Sequence, residues 1–136
     1  MDPIRSIVAI SASGMRAQST RLRVVSENIA NSHSTASGPN ELPYRRKVVS
    51  FGSQAQFGTG PALVSVTGIS ADNSEFKLKY DPAHPAADAN GFIKLPNVQP
   101  IIEMSNMREA ARSYEANLNM LESAQKMRDQ LIDLLK

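Results

Sequence analysis

The chain has 136 residues, and it contains no cysteine and no tryptophan. Disulfide bonds and thiolate metal sites are therefore excluded, and the aromatic content of 5% is more typical of helical assemblies than of domains built around a ligand pocket. The 15 basic side chains nearly balance the 13 acidic ones, which falls short of the basic surface that nucleic-acid binding requires.

The first 31 residues are predicted to form one amphipathic helix. Asp2 and Pro3 suit a helix start, because aspartate accepts free amide hydrogens of the first turn and proline fits its first position. Ser11 and Gln18 interrupt an apolar seam, and Gly14 beside it permits close approach of a second backbone. The apolar members of this seam recur every three or four positions, or at multiples of that spacing, at Ile4, Val8, Met15, Leu22, Val25 and Ile29.

Residues 32–100 are predicted to form a β-rich outer region with flexible loops. Four short strands are expected, at 44–51, 62–69, 76–80 and 92–95. In the third, Phe76, Leu78 and Tyr80 alternate with two lysines, which is the pattern of a half-buried strand. Asn90-Gly91 suits the positive φ angles of a tight hairpin, and the glycines between positions 52 and 61 favour a loop.

Residues 101–136 are predicted to form a second, longer helix, roughly 50 Å long at 1.5 Å per residue. Its apolar seam comprises Met104, Met107, Ala111, Tyr114, Leu118, Leu121, Ile132 and Leu135. A second apolar row lies beside it, at Met120, Ala124, Met127, Leu131 and Leu134. So broad an apolar arc needs more than one partner helix to cover it.

The predicted fold class is mainly α with a small β portion. The two long terminal helices are expected to form an antiparallel coiled-coil inner domain, because the first enters the β-rich outer region and the second leaves it. The end of the longer helix then has no intramolecular partner, so we expect neighbouring subunits to bury it. A two-helix hairpin is marginally stable alone, which predicts frayed termini in the free monomer.

Several stretches of the chain resemble one protein family. The closing segment of the first helix, Ser26-Glu27-Asn28-Ile29-Ala30-Asn31, is similar to the asparagine-rich signature of bacterial flagellar axial proteins of the rod and hook type. The segments at 43–47, 81–92 with 96–98, and 111–117 resemble the short rod members of that family. They occur in the family's order and span most of the chain.

The resemblance implies a structural protein of the flagellar basal body. Many copies, together with other flagellar rod proteins, would stack helically into a hollow, torque-transmitting shaft, the proximal rod, in the periplasm. Family members reach this place through the flagellar type III export apparatus. The N-terminus lacks the features of a cleaved signal peptide, so the chain either stays in the cytoplasm or leaves by a route that reads no cleaved signal, and the resemblance implies the second. No apolar run is long enough to span a membrane, so we expect no membrane-spanning segment.

We predict that the terminal helices supply the subunit interface. Two interpretations of their asparagines stay open: Asn28 and Asn31 bind exposed carbonyl groups of a neighbour, or Asn31 only ends the helix in a left-handed conformation. The predicted interface residues are Ile4, Val8, Met15, Leu22, Val25, Asn28, Ile29, Asn31, Met104, Met107, Ala111, Tyr114, Asn117, Leu118, Leu121, Met127, Leu131, Ile132 and Leu135.

The other polar motifs predict structural roles. The basic run 45–47 lacks stacking aromatic residues, so a solvated or inter-subunit strand is favoured over nucleic-acid contact. His33 and His84 lack acidic neighbours at metal-ligand spacing, and Asp88 near Asn90-Gly91 lacks the further carboxylates of a calcium loop. We therefore expect no metal, cofactor, small-molecule substrate or enzymatic activity. The alternative function is an unrelated coiled-coil adaptor or a needle-like secretion component.

Overall fold

The computed structural model describes residues 2–55 and 60–135. Two long helices lie at the ends of this described sequence, with two sheets of two strands each between them. The expected helical ends and small β portion are thereby confirmed. In chain order, the elements are α1 (Pro3–Ala30), β1 (Lys47–Ala55), β2 (Ala62–Ala71), β3 (Lys77–Tyr80), β4 (Phe92–Leu95) and α2 (Pro100–Leu134).

Local hydrogen bonds set both ends of α1. At its start, the Asp2 carboxylate accepts a hydrogen bond from the Ile4 amide at 3.1 Å, as the sequence predicted. At its end, the Asn31 side chain donates to the Glu27 carbonyl at 2.9 Å and so satisfies a carbonyl of the last turn. Of the two interpretations of Asn31, the one in which it ends the helix in a left-handed conformation is wrong, because no described residue other than glycine has a positive φ angle.

The third strand departs from the expected half-buried pattern. All four residues of β3 are exposed, and the inward side chain of its sheet comes from β4, where Ile93 is 3% exposed. Tyr80 pairs with Phe92 across the strands, and their rings meet edge to face at 5.3 Å. The alternation in β3 therefore serves a cross-strand aromatic pair on the outer side rather than core packing.

The connection between β3 and β4 is longer than a tight hairpin. Tyr80 and Phe92 are paired, so the connection comprises residues 81–91. The Asp88 carboxylate accepts hydrogen bonds from the amides of Asn90 and Phe92, both at 2.9 Å. Within the connection 81–91, only Gly91 has a positive φ, of 81°. The predicted turn is present, but an aspartate closes it, and Asn90 does not adopt the conformation that a two-residue hairpin requires.

The first strand begins and ends later in the chain than the sequence predicted. Strand β1 begins three residues later than expected and continues to Ala55, which is four residues into the predicted glycine-rich loop. Residues 56–59 of that loop lie outside the described residues.

The chain divides into two compact units, each built from separate segments. Unit 1 comprises Met1–Leu22, Val49–Gly68 and Arg108–Lys136, and unit 2 comprises Arg23–Val48 and Ile69–Met107. The buried side chains described in unit 1 are all small: Ser11, Ser13, Ala17, Ala110 and Ala124. Those of unit 2 include Val24, Val25, Ile93 and Val98, together with the polar residues Asn28, Asn97 and Glu103. Because apolar stabilisation scales with buried area, unit 1 gains less from its own core than unit 2 does.

Candidate subunit interface

Asn28 is the centre of a buried polar network in unit 2. It is 0% exposed, and its amide nitrogen donates to the Lys47 carbonyl at 2.9 Å and to the Glu103 carboxylate at 3.2 Å. Its amide oxygen accepts from the Tyr44 hydroxyl at 2.8 Å and from the Lys47 amide at 2.9 Å. This one side chain of α1 therefore fixes the start of β1, the segment before it and the first turn of α2.

A buried ion pair continues the network. Glu103 is 1% exposed, and its second carboxylate oxygen accepts a hydrogen bond from the Nε of Arg46. Arg46 also pairs with Asp72 at 3.2 Å. Each side chain thus has charged or polar partners, which is the condition under which a buried charge is tolerated.

Asn97 joins the loops of unit 2 on the other side of Arg46. Its amide oxygen accepts from the Arg46 backbone amide at 2.7 Å, and its nitrogen donates to the Asp72 carbonyl at 2.9 Å and to the Ser74 hydroxyl at 2.9 Å. The segments before β1, after β2 and after β4 therefore meet at this side chain.

Hydrogen bonds shift the titration of several of these groups. The Ser74 amide and hydroxyl lower the pKa of Asp72, and Arg46 adds to this effect. A hydrogen bond from Lys47 lowers the pKa of Glu27, and the same pair raises the pKa of Lys47. Burial raises the pKa of the Tyr44 hydroxyl. The charged forms of Asp72, Glu27 and Lys47 are thus favoured in the folded state.

Within unit 1, α1 and α2 contact each other at two described points. Arg21 forms a salt bridge with Glu109 at 2.9 Å. Gly14 lies against Asn117, since a Cβ atom at position 14 would stand 2.7 Å from the Asn117 Oδ1. As the residue number falls along α1, the number of its partner rises along α2. Gly14 thus permits the close approach that the sequence predicted.

The end of α2 exposes a cluster of large apolar side chains. Leu131 is 52% exposed, Ile132 49%, Leu134 82% and Leu135 87%. Met127, one turn earlier, is exposed at 42%. Large apolar side chains clustered on a surface mark a site of protein contact more often than isolated ones do.

Comparisons with known proteins decide the family. A model described as flagella basal body rod protein matches residues 9–36, and one described as flagellar basal body rod FlgEFG protein C-terminal matches residues 89–134. A flagellar basal-body rod protein FlgC of Agrobacterium fabrum is 49% identical over 100% of this chain and 98% of its own length. The chain belongs to the FlgC family of flagellar basal-body rod proteins.

Other FlgC proteins are similar over almost as much of the chain. One from Salmonella typhimurium is 41% identical, covering 90% of each chain, and one from Bacillus subtilis is 38% identical, covering 87% of this chain and 89% of its own. The family assignment made from the asparagine-rich and rod-like stretches is thereby confirmed. FlgC proteins are structural, so the chain is a basal-body rod subunit and not an enzyme, and the adaptor or needle alternative is not favoured.

The FlgC signature residues contribute to both units. Asn28, within the first matched region, lies at the centre of the unit 2 network, whereas Asn117, within the second, contacts Gly14 in unit 1. The amide of Asn28 makes its four hydrogen bonds inside its own chain. Asn31 bonds to Glu27, and its oxygen accepts from the Ser34 hydroxyl at 3.1 Å.

The predicted interface residues of the FlgC chain differ in exposure. Val25 and Asn28 are buried within unit 2. Others are half-buried: Ile4, Val8, Met15, Leu22, Ile29, Asn31, Met107, Tyr114, Asn117, Leu118 and Leu121. The exposed ones lie on α2 or directly after it: Met104, Ala111, Met127, Leu131, Ile132 and Leu135. The side chains of α2 are therefore the more available for contact with another molecule.

Sequence reasoning missed the role of the basic run. Arg45 stacks over the Phe76 ring at 4.3 Å, Arg46 pairs with Glu103, and Lys47 pairs with Glu27 at 3.0 Å. Arg46 is thus an internal partner and not the solvated or inter-subunit side chain expected. Nothing in the local spacing of the basic run identified Glu103 as the partner of Arg46.

Three further observations concern the described part of this FlgC chain. Neither of its long helices is apolar enough over a sufficient length to cross a membrane. His84 accepts a hydrogen bond from the Ala86 amide at 3.0 Å and lies 3.3 Å from the Thr35 hydroxyl, so it organises the loop between β3 and β4. The described histidines and acidic residues form no group of three that is suited to hold a metal ion.

Proposed function

We propose that this chain polymerises helically through its terminal helices to build the proximal part of the rod, a hollow shaft that transmits torque. The observation that carries this proposal is the cluster of apolar side chains at the end of α2, which its own chain leaves 49% to 87% exposed. Burying such apolar surface between subunits contributes about 25 cal/mol per Å² to the free energy of their association. Repeated at every neighbour, this term makes the assembly far more stable than any single contact.

We further propose that α1 and α2 pack as an antiparallel coiled coil. The support comes from the contacts of Arg21 with Glu109 and of Gly14 with Asn117, whose order along the two helices is opposite. Extending this order pairs the start of α1 with the region near Arg128, so residues 129–135 extend past α1. Helix α2 has 35 residues and α1 has 28, which accounts for the overhang.

The partners in this proposal are further copies of the chain and other flagellar rod proteins. The contact is heterologous, because the exposed end of α2 meets a different surface on its neighbour, and heterologous contacts that do not close produce a filament. The half-buried residues of both helices that were predicted for the interface complete it. Residues 1–31 and 101–136 form the inner domain, and residues 32–100 form the β-rich outer domain.

The proposed location is the periplasmic rod of the basal body, reached through the flagellar type III export apparatus without cleavage of a signal peptide. The support for an export-competent monomer is the small-residue core of unit 1, where the buried side chains described are only alanine and serine. A weakly stabilised unit unfolds at low cost before passage through a narrow channel.

The experiment uses a strain that lacks the gene and is complemented with variants. Leu131→Asp places a charge on the exposed apolar cluster without touching a buried residue, and Gln130→Asp places the same charge on the adjacent exposed polar position. We expect the first to abolish motility and rods in electron micrographs, and the second to retain both. Normal flagella in the strain without the gene would overturn the rod function itself.

A further inference from the structure

A groove in unit 1 lies beside the start of α1. Its apolar lining includes Ile4, Val8 and Ala12, spaced four residues apart on α1, and Ala124 on α2. The groove encloses about 440 Å³, and the small side chains of the two alanines permit close approach of a helix backbone. Rows of apolar residues at this spacing are the surface into which an amphipathic helix packs.

Charged side chains surround this apolar lining. Arg5, Arg16 and Arg128 line the groove and are exposed, against one acidic lining residue, Asp2. The groove therefore carries an excess of positive charge, and the helix that fits it has an apolar side and an acidic side.

Two exposed apolar helix segments of this chain are candidates for the occupant. The first, around Ile101, Ile102 and Met104, carries no exposed acidic side chain, since Glu103 is buried. The second, residues 129–135, contains Leu131, Ile132, Leu134 and Leu135 together with Asp129 and Asp133, and no basic residue. At 100° per residue the apolar side chains share one side of the helix, and the aspartates lie on the other. Only the second segment has the charge that complements the groove.

The segment cannot fill the groove of its own molecule. Arg128 already lines the groove, and α2 continues as one helix to Leu134, about 9 Å further along its axis at 1.5 Å per residue. A continuous helix does not fold back on itself within two turns. The occupant must come from another molecule.

We propose that residues 129–135 of one copy dock in the groove formed by the start of α1 and residues 124–128 of a second copy. This contact rests on the proposed rod function and identifies its two surfaces. The leucines enter the groove, and Arg5 and Arg16 at its rim extend towards the aspartates of the docked segment. Arg128 already lies 3.6 Å from Asp129 of its own copy. Because the donor segment and the groove belong to different surfaces of one chain, each bound copy presents a free groove or a free segment to the next, so the same contact is able to repeat from copy to copy.

Disulfide trapping tests this contact directly, since the natural chain has no cysteine. Two purified full-length variants, Ala12→Cys and Leu134→Cys, are mixed under mild oxidation. A disulfide forms only when the two Cα atoms come within about 7 Å. We expect the mixed dimer to exceed either homodimer, and also the mixed dimer of Ala12→Cys with Ser123→Cys, by about tenfold, as a site-specific contact of 1.4 kcal/mol requires.

Charge reversal supplies a second measurement. Arg5→Glu with Arg16→Glu in the groove variant is expected to lower the yield of mixed dimer by about threefold to tenfold at low salt, and Asp129→Arg with Asp133→Arg in its partner to restore it. A mixed yield no higher than that of the Ser123→Cys control overturns the proposal, as does a yield unchanged by the reversals. Such a result leaves the rod function standing, because that function fails only if flagella form without the protein.

Discussion

The amide nitrogen of Asn28 on α1 donates a hydrogen bond to the buried carboxylate of Glu103 on α2, at 3.2 Å. Both residues belong to unit 2, and neither is more than 1% exposed. The pair links the last turn of α1 to the first turn of α2 across 75 residues of sequence. Through Arg46 and Lys47, it also holds the start of β1.

Replacing Asn28 should destabilise unit 2. Asn28→Ala removes one of the two described hydrogen bonds to the Glu103 carboxylate and the bonds that Asn28 makes to the Tyr44 hydroxyl and to both Lys47 backbone groups. We expect a loss of about 2–4 kcal/mol in the free energy of unfolding. Urea unfolding measures this loss. The matched control is Asn31→Ala, whose described side-chain hydrogen bonds are local ones to Glu27 and Ser34, and it should lose less than half as much. Equal losses would show that the network carries no special stability.

The sequence predicted the parts of the fold that depend on local chemistry. The Asp2-Pro3 helix start, the end of α1 next to Asn31, the four strands and the turn at Gly91 each follow from a short run of residues. The long apolar pattern of α2 also predicted a surface left uncovered, which is what the exposed end of the helix is. These features need no knowledge of distant contacts.

A second expectation concerns how the stability of the folded state changes at acidic pH. Asp72 has a lowered pKa because Ser74 and Arg46 bind its charged form, so it stabilises the folded state above the ordinary aspartate pKa of about 4, and this stabilisation is lost as the pH falls through the lowered value. Asp72→Asn should be less stable than the natural protein at neutral pH, and the difference should shrink as the pH falls below about 4. Urea unfolding across this range checks it, and a difference that does not change with pH would contradict the assignment.

A third expectation concerns the closest approach of α1 and α2 in unit 1. Alanine in a helix normally gains about 1 kcal/mol over glycine, but a Cβ at Gly14 would stand 2.8 Å from the Asn117 Cγ. Gly14→Ala should therefore destabilise the protein by about 1–3 kcal/mol, measured by thermal unfolding.

Two variants make that result specific to the Asn117 contact. Adding Asn117→Ala should recover the loss, because it removes the atoms that collide. Gly38→Ala, at a position where a Cβ would meet nothing within 4 Å, should be nearly neutral. A Gly14→Ala protein as stable as the natural one would show that the helices separate at this point without cost.

The polar network was beyond sequence reasoning for a physical reason. Arg46 and Asp72 are 26 residues apart, and Arg46 and Glu103 are 57 apart, so no local spacing relates them. A basic run has the same composition whether its cations face water or a buried carboxylate. The exposed strand β3 was missed similarly, because period-two alternation does not distinguish core packing from the cross-strand pair of Tyr80 and Phe92.

Hydrogen exchange of residues 126–135, measured in dilute monomer and in isolated basal bodies, tests most directly whether the uncovered helix face is buried by assembly. We expect weak protection of this segment in the monomer and strong protection in the rod, because the end of α2 has no covering partner in its own chain. Strong protection in the dilute monomer, equal to that in the rod, would contradict the account.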